Sequence, residues 1–443
     1  MLSKVTIASL LAGTALVSAT PAAAQGSQDV AAEIAAMRAK IESLEAKVAE
    51  LEGAKKAALP SWKGAPQFSD KAGWSFKPRG RIQYDAAYVS RPDGSNDPGL
   101  GFSNELRRFR VGAEGTIPGG FGYKFEVDFA DNEVEITDAI LTYAHEDLGL
   151  TIGQHNGFQS LEELTSSRFS SFIERAAFTD AFNFERRVGL SASYGAGDLI
   201  LQGGVFTDNI DQLADGGDGA GLGDENNSVG GDFRAVYAPK FGDTQLHLGG
   251  SAHWRSSGDT EDNGVTTRYR QRPFVHTSNT RFLATPALSV ENEMHYGFEA
   301  AAIHGPFHAA GEVHWLKADR TDPAASPTFF GGYAEVGYYL TGETRGYKGG
   351  TFDRTKVLKP VGGGGFGAVQ LNLRYDHLDL VDAGIRGGKQ AGYEASLIWI
   401  PQDYVRFLLN YAHLSYDDAA IAAAGGDRDY GIDVVALRAQ VDF

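Results

Sequence analysis

The last fourteen residues, Tyr430–Phe443, read YGIDVVALRAQVDF. Val435, Leu437, Ala439, Val441 and Phe443 fall on one face of an extended chain. Val434, Ala436, Arg438, Gln440 and Asp442 fall on the other. Period two is the signature of a strand whose faces meet different solvents. A soluble protein rarely carries its apolar stripe to the final carboxylate. A membrane barrel has reason to, because its last strand pairs with its first and turns that stripe toward lipid.

The N-terminus supplies an address. Lys4 precedes the apolar run Ile7–Ala19, and Ala22–Ala24 gives a small-residue cleavage pattern before Gln25. Residues 1–24 therefore read as a secretory signal peptide. After it, no apolar run has the length of a transmembrane helix. The chain has no cysteine, which excludes a disulfide scaffold, a thiolate metal site and a cysteine nucleophile. Loss of Lys4 with the signal takes the net charge from −17 to −18, a poor balance for nucleic acid. The 56 glycines and 11% aromatic residues suit turns, barrel walls and interfacial girdles. A mean hydropathy of −0.26 fits a barrel in which only every second strand residue faces lipid.

Val30, Ile34, Met37, Ile41, Leu44, Val48 and Leu51 recur at spacings of four and three. With Ile34, Ile41 and Val48 at a and Met37, Leu44 and Leu51 at d, the flanks are charged, and 25–53 reads as a short oligomerising coiled coil. The alternative is one amphipathic helix lying on the barrel. Residues 54–73, with Pro60 and Pro66, read as a linker. From residue 74 to 443 the expectation is an all-β fold, a 16-stranded antiparallel transmembrane β-barrel. Its strands are expected near 76–90, 104–117, 120–130, 134–145, 149–156, 186–196, 198–208, 228–239, 243–255, 291–304, 306–318, 328–341, 366–380, 389–400, 403–416 and 430–443. Connections alternate between tight and long, as periplasmic turns and outer loops do. Residues 266–277 are placed as a hairpin within a long loop, which keeps the strand count even. A soluble β-sandwich array, the rival, does not explain the signal, the terminal aromatic and the loop pattern together.

A barrel of this size holds a water-filled lumen, so function lies in the inward residues. Alternation sends Arg81, Arg108, Arg110, Lys124, Arg187, Arg255, Arg374, Arg406 and Arg438 inward. Arg168 and Arg175 belong to the long loop 158–185, which is expected to fold in and narrow the pore; Glu162, Glu163 and Glu174 stand near enough to neutralise them. Cations in a confined pore favour anions, and arginine grips phosphate or carboxylate with two parallel bonds. About half of these arginines are expected to brace the wall against Glu126, Asp128 and Asp376 instead.

The ordered segments RRFRVGAEG (Arg107–Gly115), FGYKFEVDFA (Phe121–Ala130), LTIGQHNGFQSLEELTSSRFSSFIER (Leu150–Arg175), YYLTGETRGY (Tyr338–Tyr347) and GGGGFGAVQLNLRYDHLDL (Gly362–Leu380) resemble the phosphate-selective porin O and P family over about 76–443. The resemblance implies a trimeric sixteen-stranded outer-membrane porin with an arginine-lined anion path and an inward third loop. It makes 342–365 a long periplasmic segment. Family members usually read GQFK-x-PF after the fifth strand, whereas Gly153–Phe158 is GQHNGF; Arg168 stands where phosphate-specific members carry lysine.

The expected function is passive diffusion of phosphate, other anions or small polar solutes across the outer membrane. Expected partners are outer-membrane lipid and lipopolysaccharide, two further copies of the chain, and the assembly machinery through Phe443. No cofactor and no nucleic acid are expected. An adhesive barrel working through the coiled coil is the alternative. A barrel lipase or protease is a third reading, and no GxSxG elbow supports it. The acidic stretch 208–227 matches neither an EF-hand nor a nonapeptide calcium repeat. His247 and His253 share a face but lie about 20 Å apart along a strand, too far for one metal.

Overall fold

The computed structural model describes residues 23–57, 60–130, 133–210, 228–256, 266–321 and 325–443. Most of the expected signal peptide and most of the acidic stretch 208–227 lie outside these residues. The chain divides into two units, Met1–Pro60 and Ser61–Phe443. In the first, α1 (Ala23–Ala57) is one continuous helix, and its heptad residues Ile34, Met37, Ile41, Leu44 and Val48 are all exposed.

The second unit is built on sixteen long strands. They are β1 (Ser75–Val89), β2 (Gly101–Ile117), β3 (Phe121–Asp128), β4 (Glu135–His145), β5 (Leu148–Asn156), β6 (Arg186–Ala196), β7 (Leu199–Phe206) and β8 (Val229–Tyr237). The second half is β9 (Thr244–Ser256), β10 (Val290–His304), β11 (Phe307–Arg320), β12 (Thr328–Tyr339), β13 (Ala368–Asp382), β14 (Ile385–Gln402), β15 (Val405–Asp417) and β16 (Tyr430–Asp442). Each pairs antiparallel with the next. β16 pairs with β1, from Val434 opposite Val89 to Asp442 opposite Arg81, so the sheet closes and leaves no edge. Phe443 extends the seam by exchanging backbone hydrogen bonds with Gly80, at 3.0 and 3.2 Å.

The burial pattern is that of a barrel turned inside out relative to a soluble protein. On β16, Val435, Leu437 and Val441 are 38–54% exposed, while Arg438, Gln440 and Asp442 are 1–3% exposed. Tyr84, Phe109, Phe125, Phe298 and Tyr393 face outward on other strands in the same way. Such a surface is stable only against lipid or another protein.

The sixteen expected strands are present, and three local expectations are corrected. β13 and β14 run to within two residues of each other, so the gap left over 381–388 is a tight hairpin. Ala383 (φ 50°) and Gly384 (φ 81°) both take the left-handed conformation that a two-residue turn between twisted strands demands. The stretch read as a linker contains a small hairpin, Ser61–Trp62 with Pro66–Ser69, whose second arm pairs with the start of β1. Within 266–277 only Arg270–Gln271 is strand, paired with Leu283–Ala284.

Candidate functional site

The long β5–β6 loop, residues 157–185, folds into the barrel. Its first turn, α2 (Leu161–Leu164), is capped by Ser160, whose Oγ accepts a hydrogen bond from the Glu163 N–H at 3.1 Å. The next donors, the N–H groups of Leu161 and Glu162, go to the Glu312 carboxylate on β11 at 3.0 and 2.7 Å. Further along, α3 (Ala177–Ala181) donates its Ala177 N–H to Asp376 on β13, and Phe178 stacks on His314, with centroids 4.4 Å apart. From the turn end of the barrel, the segment between β12 and β13 reaches the same loop. Arg345 donates to the Phe169 carbonyl at 3.1 Å, and the Phe352 N–H to Thr165 Oγ1 at 3.3 Å.

This anchoring divides the arginines singled out from sequence. Arg374, Arg406 and Arg438 lie beneath the loop rather than along an open path. Arg374 Nη2 sits 2.6 Å from Glu162 and 2.7 Å from Glu335. Arg438 joins Asp85 (2.6 Å), Glu174 (3.1 Å) and the Ile173 carbonyl (2.7 Å). Arg406 donates to the carbonyls of Arg168 and Ser170. Arg187 and Arg255 sit elsewhere, paired with Glu185 (3.0 Å) and Asp208 (2.6 Å).

Arg81, Arg108, Arg110, Lys124, Arg168 and Arg175 line one cavity of about 300 Å³ between the loop and the β1–β6 wall. Arg79 and Arg186 join them, so eight cationic side chains face it against two carboxylates, Asp138 and Glu163. The other carboxylates are set into the wall behind the cations. Glu126 holds Arg110 (3.2 Å) and Arg81 (3.7 Å), and Asp128 holds Arg110 at 2.7 Å. Asp138 holds Lys124 (2.6 Å) and Arg186 (3.3 Å). Arg108 is oriented by the neutral amide oxygen of Gln83 at 2.8 Å, and among the described residues no carboxylate pairs with it. Fixed donors on a confined wall present positive potential without needing to reorganise when an anion arrives.

The neutralisation expected within the loop is only partly found. Glu163 pairs with Arg175 at 3.2 Å, but Glu162 turns to Arg374, Glu174 to Arg107 and Arg438, and Arg168 pairs with Asp442 at 3.6 Å. Asp376 braces the loop backbone instead of an arginine. His247 and His253 are separately satisfied, by Glu299 and Asp232. Sequence reasoning missed Arg186, the first residue of β6: alternation from the inward Arg187 assigns it the outer face, yet it lines the cavity beside Asp138. Of the segment that departs from GQFK-x-PF, His155 and Asn156 line the cavity, and His155 Nε2 meets Ser191 Oγ at 2.8 Å.

A second cavity of about 180 Å³ adjoins the first, lined in part by Arg107, Glu174, Asp180, Arg272 and His276. Arg108, Glu163 and Arg175 line both.

Comparison with known proteins places this geometry. A Porin O of Pseudomonas aeruginosa is 26% identical over 395 residues, 80% of this chain and 86% of its own length. An uncharacterized protein of Caulobacter vibrioides is 54% identical over 393 residues, 88% of this chain and 79% of its own. Among solved structures, an anion-selective porin from Comamonas acidovorans superposes with a TM-score of 0.51 at 14% identity, covering 84% of this chain and 100% of that one. The outer membrane channel DcaP of Acinetobacter baumannii gives 0.51 at 13%, covering 85% and 99%. At such identities these structures speak to the fold alone. The family model for phosphate-selective porin O and P matches residues 76–443, the whole span of the barrel. With its closed sheet, inward loop and water-accessible wall, the chain belongs to that family of bacterial outer-membrane porins.

Proposed function

We propose that this porin passes small anions, phosphate among them, by passive diffusion along the β1–β6 wall. The observation that carries the reading is the eight-cation lining of the cavity beside the inward loop. Arg81, Arg108, Arg110, Lys124, Arg168 and Arg175, with Arg79 and Arg186, form the path. Arg374, Arg406 and Arg438 hold the loop that shapes it. Apart from the β12–β13 segment 340–367, the long connections lie at one end of the barrel and most short turns at the other, which supports placing that long-loop end outside the cell and α1 in the periplasm. The exposed heptad stripe of α1 supports self-association, and a trimer form of OmpT from Vibrio cholerae is among the similar folds (TM-score 0.50). Three copies, seated in lipid and lipopolysaccharide and assembled through the Phe443 signal, complete the reading.

Reversal potentials across a planar bilayer in a salt gradient test it. Anion preference is expected, phosphate should compete with chloride conduction, and Arg168→Glu should lower the preference. Cation selectivity of the wild-type channel would sink the proposal.

A further inference from the structure

Two cavities beside the inward loop meet at three side chains that line both. Arg108 comes from β2, while Glu163 and Arg175 come from the inward loop. Glu163 is the odd member, a carboxylate between cations on a route whose other charges are mostly positive. Its position is built. The backbone N–H is fixed by Ser160, and the turn carrying it hangs from Glu312. Glu163 Oε2 lies 3.2 Å from Arg175 Nη1, and Asn156 Nδ2 stands 3.5 Å from Oε1. Arg175 cannot follow a departing ion, because it also donates to the carbonyls of Glu162, Glu163 and Thr165 at 2.9–3.1 Å.

We propose that Glu163 sets the anion selectivity of this junction: ionised, it offsets Arg108 and Arg175 and keeps anions moving; protonated, it leaves both cations to the passing anion. This rests on the anion-channel reading and deepens it. An attractive site that is too strong holds its ion and stops conduction, so one opposing charge where the two cavities meet is a means of balancing capture against release.

Burial pushes the Glu163 carboxyl above its ordinary range, and the nearby Glu312 adds to that. Arg175, Arg186 and Arg108 act in the opposite sense. A raised carboxyl is neutral over a wider range of acid pH. The anion preference of the wild-type channel therefore rises as pH falls from neutral.

The experiment uses the full chain in planar bilayers under a potassium chloride gradient, with reversal potentials read from pH 8 to pH 4. An ion passing at about 6 Å through a water-filled, salt-screened gap feels one charge strongly enough to change the permeability ratio about threefold, since chloride and potassium respond in opposite senses. Glu163→Gln is expected to raise the chloride-to-potassium ratio about threefold at pH 8 and to flatten most of its rise toward pH 4. Glu163→Asp keeps the charge and should keep the rise. An anion-selective wild-type channel whose pH response survives intact in Glu163→Gln overturns the role of Glu163 while leaving the anion reading standing. A wild-type channel that prefers cations overturns both. Conduction by each variant shows that it has folded.

Discussion

Replacing Arg374 with methionine should release the inward loop while leaving the barrel closed. The guanidinium lies 2.6 Å from Glu162, 2.7 Å from Glu335 and 3.9 Å from Glu394, and its Cζ sits 4.3 Å and 4.6 Å from the ring centroids of Phe172 and Tyr333. Methionine keeps most of the packing but leaves buried carboxylates without their cation, which costs about 3–5 kcal/mol. Only Glu162 belongs to the loop, so the system escapes by undocking it, and the docking equilibrium moves by roughly two to nearly four decades. The strand ladder loses nothing, so a heat-modifiable barrel band on a gel should persist. Trypsin should now cut at Arg168 and Arg175, and single-channel conductance should rise and become noisy.

The pH dependence of this variant has a definite sign. Burial pushes the Glu162 carboxyl up, Arg374 opposes it, and Glu335 and Glu312 add to the upward push. Without Arg374 the largest opposing influence is gone. A carboxyl raised in the docked state favours docking fully below its free value of about 4.3 and loses that contribution as pH rises through the raised value. Docking in Arg374→Met should therefore recover in acid and fail at neutral pH. Adding Glu162→Gln and Glu335→Gln should restore protection at neutral pH, because the two carboxylates closest to the lost cation are then neutral. Unchanged trypsin resistance and unchanged conductance in Arg374→Met would refute the assignment of Arg374 as an anchor.

Three further outcomes are expected. A Cβ at Gly80 would stand 2.2 Å from the Phe443 ring, so Gly80→Val should destabilise the seam by about 1–3 kcal/mol, read as a lower heat-modification temperature, and Phe443→Ala in that background should recover part of it. Arg108→Gln removes a lumen cation that no carboxylate pairs with in the described structure, so it should reduce anion preference without altering barrel stability by more than about 0.5 kcal/mol; equal losses in both would assign it a bracing role. Ile41→Asp places a charge in the heptad seam of α1, and cross-linking between cysteines introduced at Val48 should disappear; persistent cross-linking would argue against a coiled coil there.

Most of the barrel was legible from local chemistry. Alternation on β16 and its neighbours assigns a face to each side chain, because a strand has only two and the solvents on them differ. Parity then orders the turns, and the closing pair of β16 with β1 follows from the terminal stripe. Even the two-residue turn at Ala383–Gly384, which composition did not mark, changes only where two strands end. What alternation cannot say is which inward arginines meet water. Arg374 and Arg110 read alike along their strands, yet one is buried against Glu162, 212 residues away in the chain, and the other faces the open wall. That difference is made by the path of residues 157–185, and the path is set by distant partners such as Glu312, Asp376 and Arg438. A loop has no period to announce its position; the contacts that fix it exist only once the barrel has brought both walls together. The sequence determined which arginines turn inward, and the tertiary structure decided which of them line the cavity beside the loop and which hold the loop in place.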